Sequence, residues 1–233
     1  MNNKKEKDIK NVPLKLPKQK VDLVMGLFAD GNFNEAIDAI KALNKDYPNV
    51  PLLFNLLGAC YNQLGQFAAA AQFFESAFTI KPDYAEAYMN HGTALSESGD
   101  LDSAVKSFKK AIDLLPNYSE AHNKLGITFL NLSKYDDAIE HLEWAVAYKY
   151  DFFEAHNNLG VANNKIGQIS NAAKNFEKAI EINPTYTMAI LNLALIHKDL
   201  GQIEESIFCF ERVLDIEPNN DQAKVNLEEL RSE

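Results

Sequence analysis

Apolar and small residues return along this chain every 34 positions, and between returns they keep the three-and-four spacing of amphipathic helices. The clearest unit runs from Pro51 to Pro82 and carries Phe54, Leu57, Gly58, Tyr61, Gly65, Phe67, Ala70, Phe74, Ala77 and Ile80. Gly58 and Ala70 lack bulk where two antiparallel helices must approach to roughly 8 to 10 Å, while Leu57, Tyr61 and Phe74 fill the space around them. Gly65 can take the left-handed conformation that closes a first helix, and Pro82 cannot continue a second. The pattern predicts a helix, a tight turn and a helix.

The phase holds along the chain. The small residue of the first helix falls at Gly58, Gly92, Gly126, Gly160 and Ala194, with Val24 before them, and that of the second at Ala36, Ala70, Ala104, Ala138, Ala172 and Ser206. Turn residues fall at Gly31, Gly65, Gly99, Ser133, Gly167 and Gly201, and prolines end second helices at 48, 82, 116, 184 and 218, with Tyr150 the exception. Six repeats result: 17–50, 51–84, 85–118, 119–152, 153–186 and 187–220. Residues 221–233 read as one more amphipathic helix, with Val225, Leu227 and Leu230 apolar, capping the last repeat. Residues 1–16 are polar, lysine-rich and interrupted by Pro13, and read as a disordered tail. Asn49, Asp83, Asn117, Asp151, Thr185 and Asn219 follow the prolines and are expected as helix N-caps. Glu86, Glu120, Glu154 and Gln222 then stand at capping-box spacing, which gives them a structural role.

Composition narrows the function. Lys plus Arg is 23 against 33 for Asp plus Glu, a net charge of −10, which argues against a general nucleic-acid binder. The charge is uneven: seven lysines against Glu6 and Asp8 in residues 1–20 leave the remainder strongly acidic. A surface tether for nucleic acid or membrane is one reading of that basic stretch, and simple solvation the other. Cys60 and Cys209 lie more than four repeat lengths apart, too far for a disulfide in such a stack, and neither stands at metal-ligand spacing. No apolar run reaches signal-peptide or membrane-span length, so a cytoplasmic location and no membrane span are expected.

With these residues the chain resembles the tetratricopeptide repeat family from about Pro17 onward, with Phe where that pattern has Trp. His156-Asn157-Asn158-Leu159-Gly160 and the run Leu193 to Glu205 are most similar to arrays in O-linked N-acetylglucosamine transferases and in bacterial fusions of such repeats to glycosyltransferase or sulfotransferase domains. The resemblance implies an all-α superhelix, first helices on its concave face, and a protein or peptide partner. In the transferase arrays asparagines on that face hold the backbone of an extended peptide, which an amide can do because it donates and accepts at once.

Asn90, Asn158, Asn192 and Asn226 occupy one equivalent position, before Leu159, Leu193 and Leu227 in the last three and before His91 in the first. Asn55, Asn123 and Asn157 lie one residue earlier, and Asn62, Asn131 and Asn164 one or two turns on. Leu56 and Lys124 interrupt the series; Lys124 suits an acidic ligand group. The alternative is general enrichment of asparagine on polar helix faces. A clamp for a C-terminal carboxylate is matched only by Asn90 and Lys124, so binding of chaperone tails is not expected. His122 and His156 replace Phe54 and Tyr88 and are expected to pack in the core; His91, His141 and His197 lack metal-ligand neighbours. Trp144 is placed on the outer wall. No nucleophile triad, phosphate loop or paired-carboxylate cleft stands out. The expected function is a non-enzymatic scaffold, without cofactor or metal, binding an extended peptide through Asn55, Asn90, Asn123, Lys124, Asn131, Asn158, Asn164, Asn192 and Asn226. The alternative is the substrate-recruiting part of a glycosyltransferase or sulfotransferase.

Overall fold

The computed structural model describes residues 16–232, so the reading of the tail lies almost wholly outside the described residues. Among those residues the fold is all-α. The helices are α1 (Lys18–Ala29), α2 (Phe33–Asp46), α3 (Pro51–Gln63), α4 (Phe67–Ile80), α5 (Ala85–Glu97), α6 (Leu101–Leu114) and α7 (Ser119–Asn131). They continue as α8 (Tyr135–Tyr148), α9 (Phe153–Lys165), α10 (Ile169–Ile182), α11 (Thr187–Asp199), α12 (Ile203–Ile216) and α13 (Asp221–Ser232). Odd and even helices form antiparallel hairpins, the helix-turn-helix units that the 34-residue phase predicts.

The chain divides into two compact units, Met1–Pro82 and Asp83–Glu233. In the first, Val24, Ala36, Ile37, Ile40, Leu43, Leu53, Leu56, Leu57 and Cys60 form one core. In the second, each helix from α5 to α13 packs on the next, and the first helices α5, α7, α9 and α11 also touch one another across repeats. Those first helices therefore line the inner side of that unit.

Close approach is set by the small residues. A Cβ added at Gly58 would meet the Phe74 ring at 2.6 Å, and one at Gly160 the Phe176 ring at 2.6 Å. The ring sixteen residues on thus occupies the space the glycine leaves. The turns close alike in all six repeats: the N–H two residues past the first helix's cap bonds a carbonyl five back, as Gln66 N to Tyr61 O at 2.9 Å. That closure needs a positive φ at the residue before it, +70° at Gly65 and +57° at Ser133. A left-handed side chain costs roughly 1–2 kcal/mol, partly offset by the entropy glycine loses on folding. Ser133→Gly is therefore expected to stabilise the chain by about 0.5–1 kcal/mol, read as a higher urea midpoint; an unchanged or lower midpoint would contradict the strain.

The N-caps differ from expectation. Val50, Tyr84, Tyr118, Phe152 and Tyr186 take those positions and none offers a side-chain cap bond. Asn49, Asp83, Asn117, Asp151 and Thr185 stand one residue earlier, inside the turn, with Asn49 at φ +59°. Four of these five positions are aromatic, and at one of them the ring packs across repeats, Phe153 and Tyr186 meeting edge to face at 4.9 Å. Glu120, placed in a capping box by spacing, instead accepts from Ser119 Oγ at 2.9 Å and pairs with Lys149 at 3.3 Å. Side-chain caps occur at Asp100, which accepts from Ser103 N at 3.2 Å, and at Asn220 rather than Asn219, which accepts from Ala223 N at 3.0 Å.

Leu227 and Leu230 of the terminal helix pack as its pattern predicts, whereas Val225 is 63% exposed. Ala223, Leu227 and Leu230 join Ile190, Leu193, Phe210 and Val213 in one buried cluster.

Candidate functional site

Asparagine dominates the inner first-helix face of the second unit, and much of it is paired. Asn158 Nδ2 donates to Asn123 Oδ1 at 3.0 Å, and Asn192 Nδ2 donates to Asn157 Oδ1 at 2.9 Å. Each bond joins one first helix to the next, α7 to α9 and α9 to α11. Asn123 and Asn157 are only 6% and 1% exposed, so their carbonyls need those partners. Asn158 and Asn192 are half-buried. Each retains a carbonyl oxygen and a second N–H, held in a fixed orientation.

The signal that marks the pairing is a spacing. Both pairs stand 35 residues apart, one more than the repeat, so each rung steps from one position to its neighbour on the next helix. The rule also places the gaps. Lys124 would need an asparagine at 89 and finds Met89; Asn226 would need one at 191 and finds Leu191. Asn226 instead accepts from Lys198 Nζ at 2.9 Å, and Lys198 also pairs with Glu229 at 2.6 Å. Lys198 was not among the residues expected at the site.

At the other gap Lys124 lines a cavity of about 180 Å³ with Thr93, Ser96, Glu97, Phe108, Ile127 and Asn131. Two expected site residues, Lys124 and Asn131, thus share one hollow between α5 and α7. Thr93, Ser96 and Glu97 on its other wall carry no signal in the 34-residue phase. Among the described residues Lys124 has no ion-pair partner. Of the other expected residues, Asn90 lies half-buried on α5 and Asn164 is exposed at the end of α9, while Asn55 is buried on α3 in the first unit.

The histidines have a role that ring packing alone did not suggest. His122 Nε2 lies 3.1 Å from the Pro116 carbonyl and His156 Nε2 3.0 Å from that of Tyr150, so each imidazole ties its helix to the turn before it. A carbonyl only accepts, so the His122 proton sits on Nε2, and its Nδ1 accepts from His141 Nδ1 at 3.2 Å. Protonating His122 would put hydrogens on both facing nitrogens. Burial holds His122 below its ordinary 6.5, against the Pro116 bond and Glu140. Burial, then His122 and Lys109, hold His141 below it too, against Glu140 and Asp137.

The unfolded chain therefore binds more protons than the folded one below about pH 6.5, and stability present above that pH is lost as pH falls. The urea midpoint is expected to drop between pH 7.5 and 5.5, and less so in His122→Phe, which restores the residue type of Phe54. Equal drops in both proteins would contradict the pairing.

Cys60 and Cys209 are buried free thiols, and burial pushes the Cys60 thiol up to about 11, away from nucleophilic use. Among the described residues no three His, Cys, Asp or Glu gather as metal ligands, and no helix is long and apolar enough to cross a membrane.

Solved structures share this architecture. PilW, described as a widely conserved type IV pilus biogenesis factor, is 22% identical over 90% of this chain and 97% of its own, with a TM-score of 0.81. PilF of Pseudomonas aeruginosa is 15% identical over 91% and 96%, with a TM-score of 0.79. YrrB, described as a TPR protein with an unusual peptide-binding site, is 18% identical over 82% and 99%, with a TM-score of 0.66. A search of the curated proteins returns no match. A tetratricopeptide repeat model matches residues 21–85 and 123–187, a TPR repeat model residues 92–133, and a further tetratricopeptide repeat model residues 189–220. With its hairpins and their phase in agreement with those models, the chain belongs to the tetratricopeptide repeat family.

Proposed function

We propose that this protein is a non-enzymatic interaction scaffold that holds an extended segment of another protein against the first-helix face of its second unit. The observation that carries this reading is the pair of inter-repeat amide bonds, Asn158 to Asn123 and Asn192 to Asn157. Each fixes an outer amide whose remaining donor and acceptor match a peptide unit whatever its side chain. Lys124, unpaired beside its cavity among the described residues, adds one selective contact for a carboxylate. The peptide-binding site named for YrrB is consistent with such a use of the fold. Because the peptide still loses its own conformational freedom, micromolar affinity is the natural range.

The test uses peptides selected from a random display library for binding to the full chain, restricted to those without net positive charge. Lys124→Ala and Asn131→Ala alter side chains that no internal bond requires, so they probe binding without orphaning a buried group. Together they are expected to weaken binding about tenfold, roughly 1.4 kcal/mol, with an unchanged melt. Affinity unaffected by the double variant would sink the groove assignment. Alanine at Asn158 or Asn192 is a poorer probe, since it strands the buried Asn123 or Asn157 carbonyl and lowers stability in its own right.

A second reading makes the same face the substrate-recruiting part of a glycosyltransferase or sulfotransferase. The paired amides and the His156 to Gly160 run are what favour it. Transfer of a sugar or sulfate to a bound peptide by a copurifying enzyme supports it, and its absence from a purified native complex removes it.

A further inference from the structure

The fourth repeat departs from its neighbours on the outer face of its second helix. Two positions that are lysine in the repeats on either side, Lys106 and Lys110 before it and Lys174 and Lys178 after it, are Glu140 and Trp144 in α8. A third, Leu114 and Ile182 in those repeats, is Tyr148. Positions 140, 144 and 148 stand four apart and share one helix face. Trp144 and Tyr148 are 46% and 44% exposed, with Tyr150 at 75% just beyond the helix. The indole and phenol rings are stacked, with centroids 5.5 Å apart and planes 18° from parallel. A stacked aromatic shelf thus faces water at a place where the two neighbouring repeats set a cation.

The surrounding charge is one-sided on α8. Asp137, Glu140 and Glu143 are exposed, and among the described residues none of them is ion-paired. Where later repeats keep a cation at the Trp144 position it is used internally: Lys178 pairs with Glu181 at 2.9 Å, and Arg212 donates to the Pro184 carbonyl at 2.6 Å. In the repeat before, Lys109, next to Lys110, lies over the Phe129 ring at 5.6 Å. Carboxylates outside any ion pair beside an open π face are complementary to a cation supplied from outside, and arginine uses both at once.

We propose that the outer face of α8 is a second docking site, for an arginine- or lysine-rich segment of another protein. One cationic side chain lies over the Trp144 and Tyr148 stack while its neighbours pair with Glu140 and Asp137. The same carboxylates repel anionic surfaces such as nucleic acid and acidic lipid. The site is separate from the first-helix groove and does not depend on it.

Trp144 is the sole tryptophan, so its emission reports on this face alone. The experiment titrates the full chain with a nona-arginine peptide and reads that emission, with nona-glutamate as control. The expected result is a saturable change with nona-arginine, weakened by salt, and none with nona-glutamate. Asp137→Asn with Glu140→Gln is expected to weaken the response about tenfold. Glu204→Gln with Glu205→Gln, the same change in net charge on α12, should leave it within twofold. Trp144→Leu, followed by anisotropy of a labelled peptide, should weaken binding to the same degree as the carboxylate pair. No emission change, or a change equally reduced by the α12 pair, would overturn the proposal. So would sedimentation of the unliganded chain as a dimer that Trp144→Leu dissolves, which would assign the shelf to a second copy.

Discussion

Deletion of residues 221–233 is expected to destabilise the second unit by about 3–6 kcal/mol. The estimate takes two buried leucines at roughly 1.5–3 kcal/mol each. Leu227 and Leu230 are 6% and 5% exposed and belong to one buried cluster with Ile190, Leu193, Phe210 and Val213, which the deletion would leave uncovered on one side. Lys198 would lose both Asn226 and Glu229, and Glu211 would lose Arg231. These exposed ion pairs add little to the estimate, because solvent screens them. The larger consequence is solubility, since a repeat stack with an uncovered apolar end associates. Circular dichroism melts of the parent and truncated chains check this, and coincident melts would show that α13 is not a cap.

Phe176→Ala is expected to cost about 3–5 kcal/mol, the range for removing a wholly buried aromatic ring. Phe176 is 1% exposed and fills the space that Gly160 leaves between α9 and α10, as Phe74 does opposite Gly58. Its ring also belongs to the cluster that runs through α11 and α12 to α13, so the loss should spread to neighbouring hairpins rather than stay in one. Phe208→Ala is the control. That ring is 65% exposed, and its removal should shift stability by less than about 0.5 kcal/mol. Similar urea midpoints for the two variants would mean that the glycine-and-ring packing does not hold the hairpins together.

The hairpin architecture is legible in the sequence because the physics that builds it is local and repeated. A glycine at 160 and a phenylalanine sixteen residues later can be read together without knowing anything of distant parts of the chain. The turn residues are legible for the same reason, even at Ser133, where the phase asked for a positive φ and the structure supplies one. The caps are not legible in the short polar residues, because the N-cap falls one residue after them, at an aromatic in four repeats, Tyr84, Tyr118, Phe152 and Tyr186. At the site the asparagines were found by type and position, but their bonds to one another were not. A 34-residue comparison aligns like with like, and the rungs run to the neighbouring position at 35. The cavity beside Lys124 was hidden for another reason: Thr93, Ser96 and Glu97 come from a different helix and bear no phase mark.

The first-helix groove is tested most directly by nuclear magnetic resonance of the nitrogen-15-labelled full chain, titrated with a selected peptide of no net positive charge. Binding in the groove predicts the largest changes at the side-chain amides of Asn158 and Asn192 and at the backbone of α5, α7 and α9 around Lys124. Changes confined to the second helices, with those two amides unmoved at saturation, would contradict it.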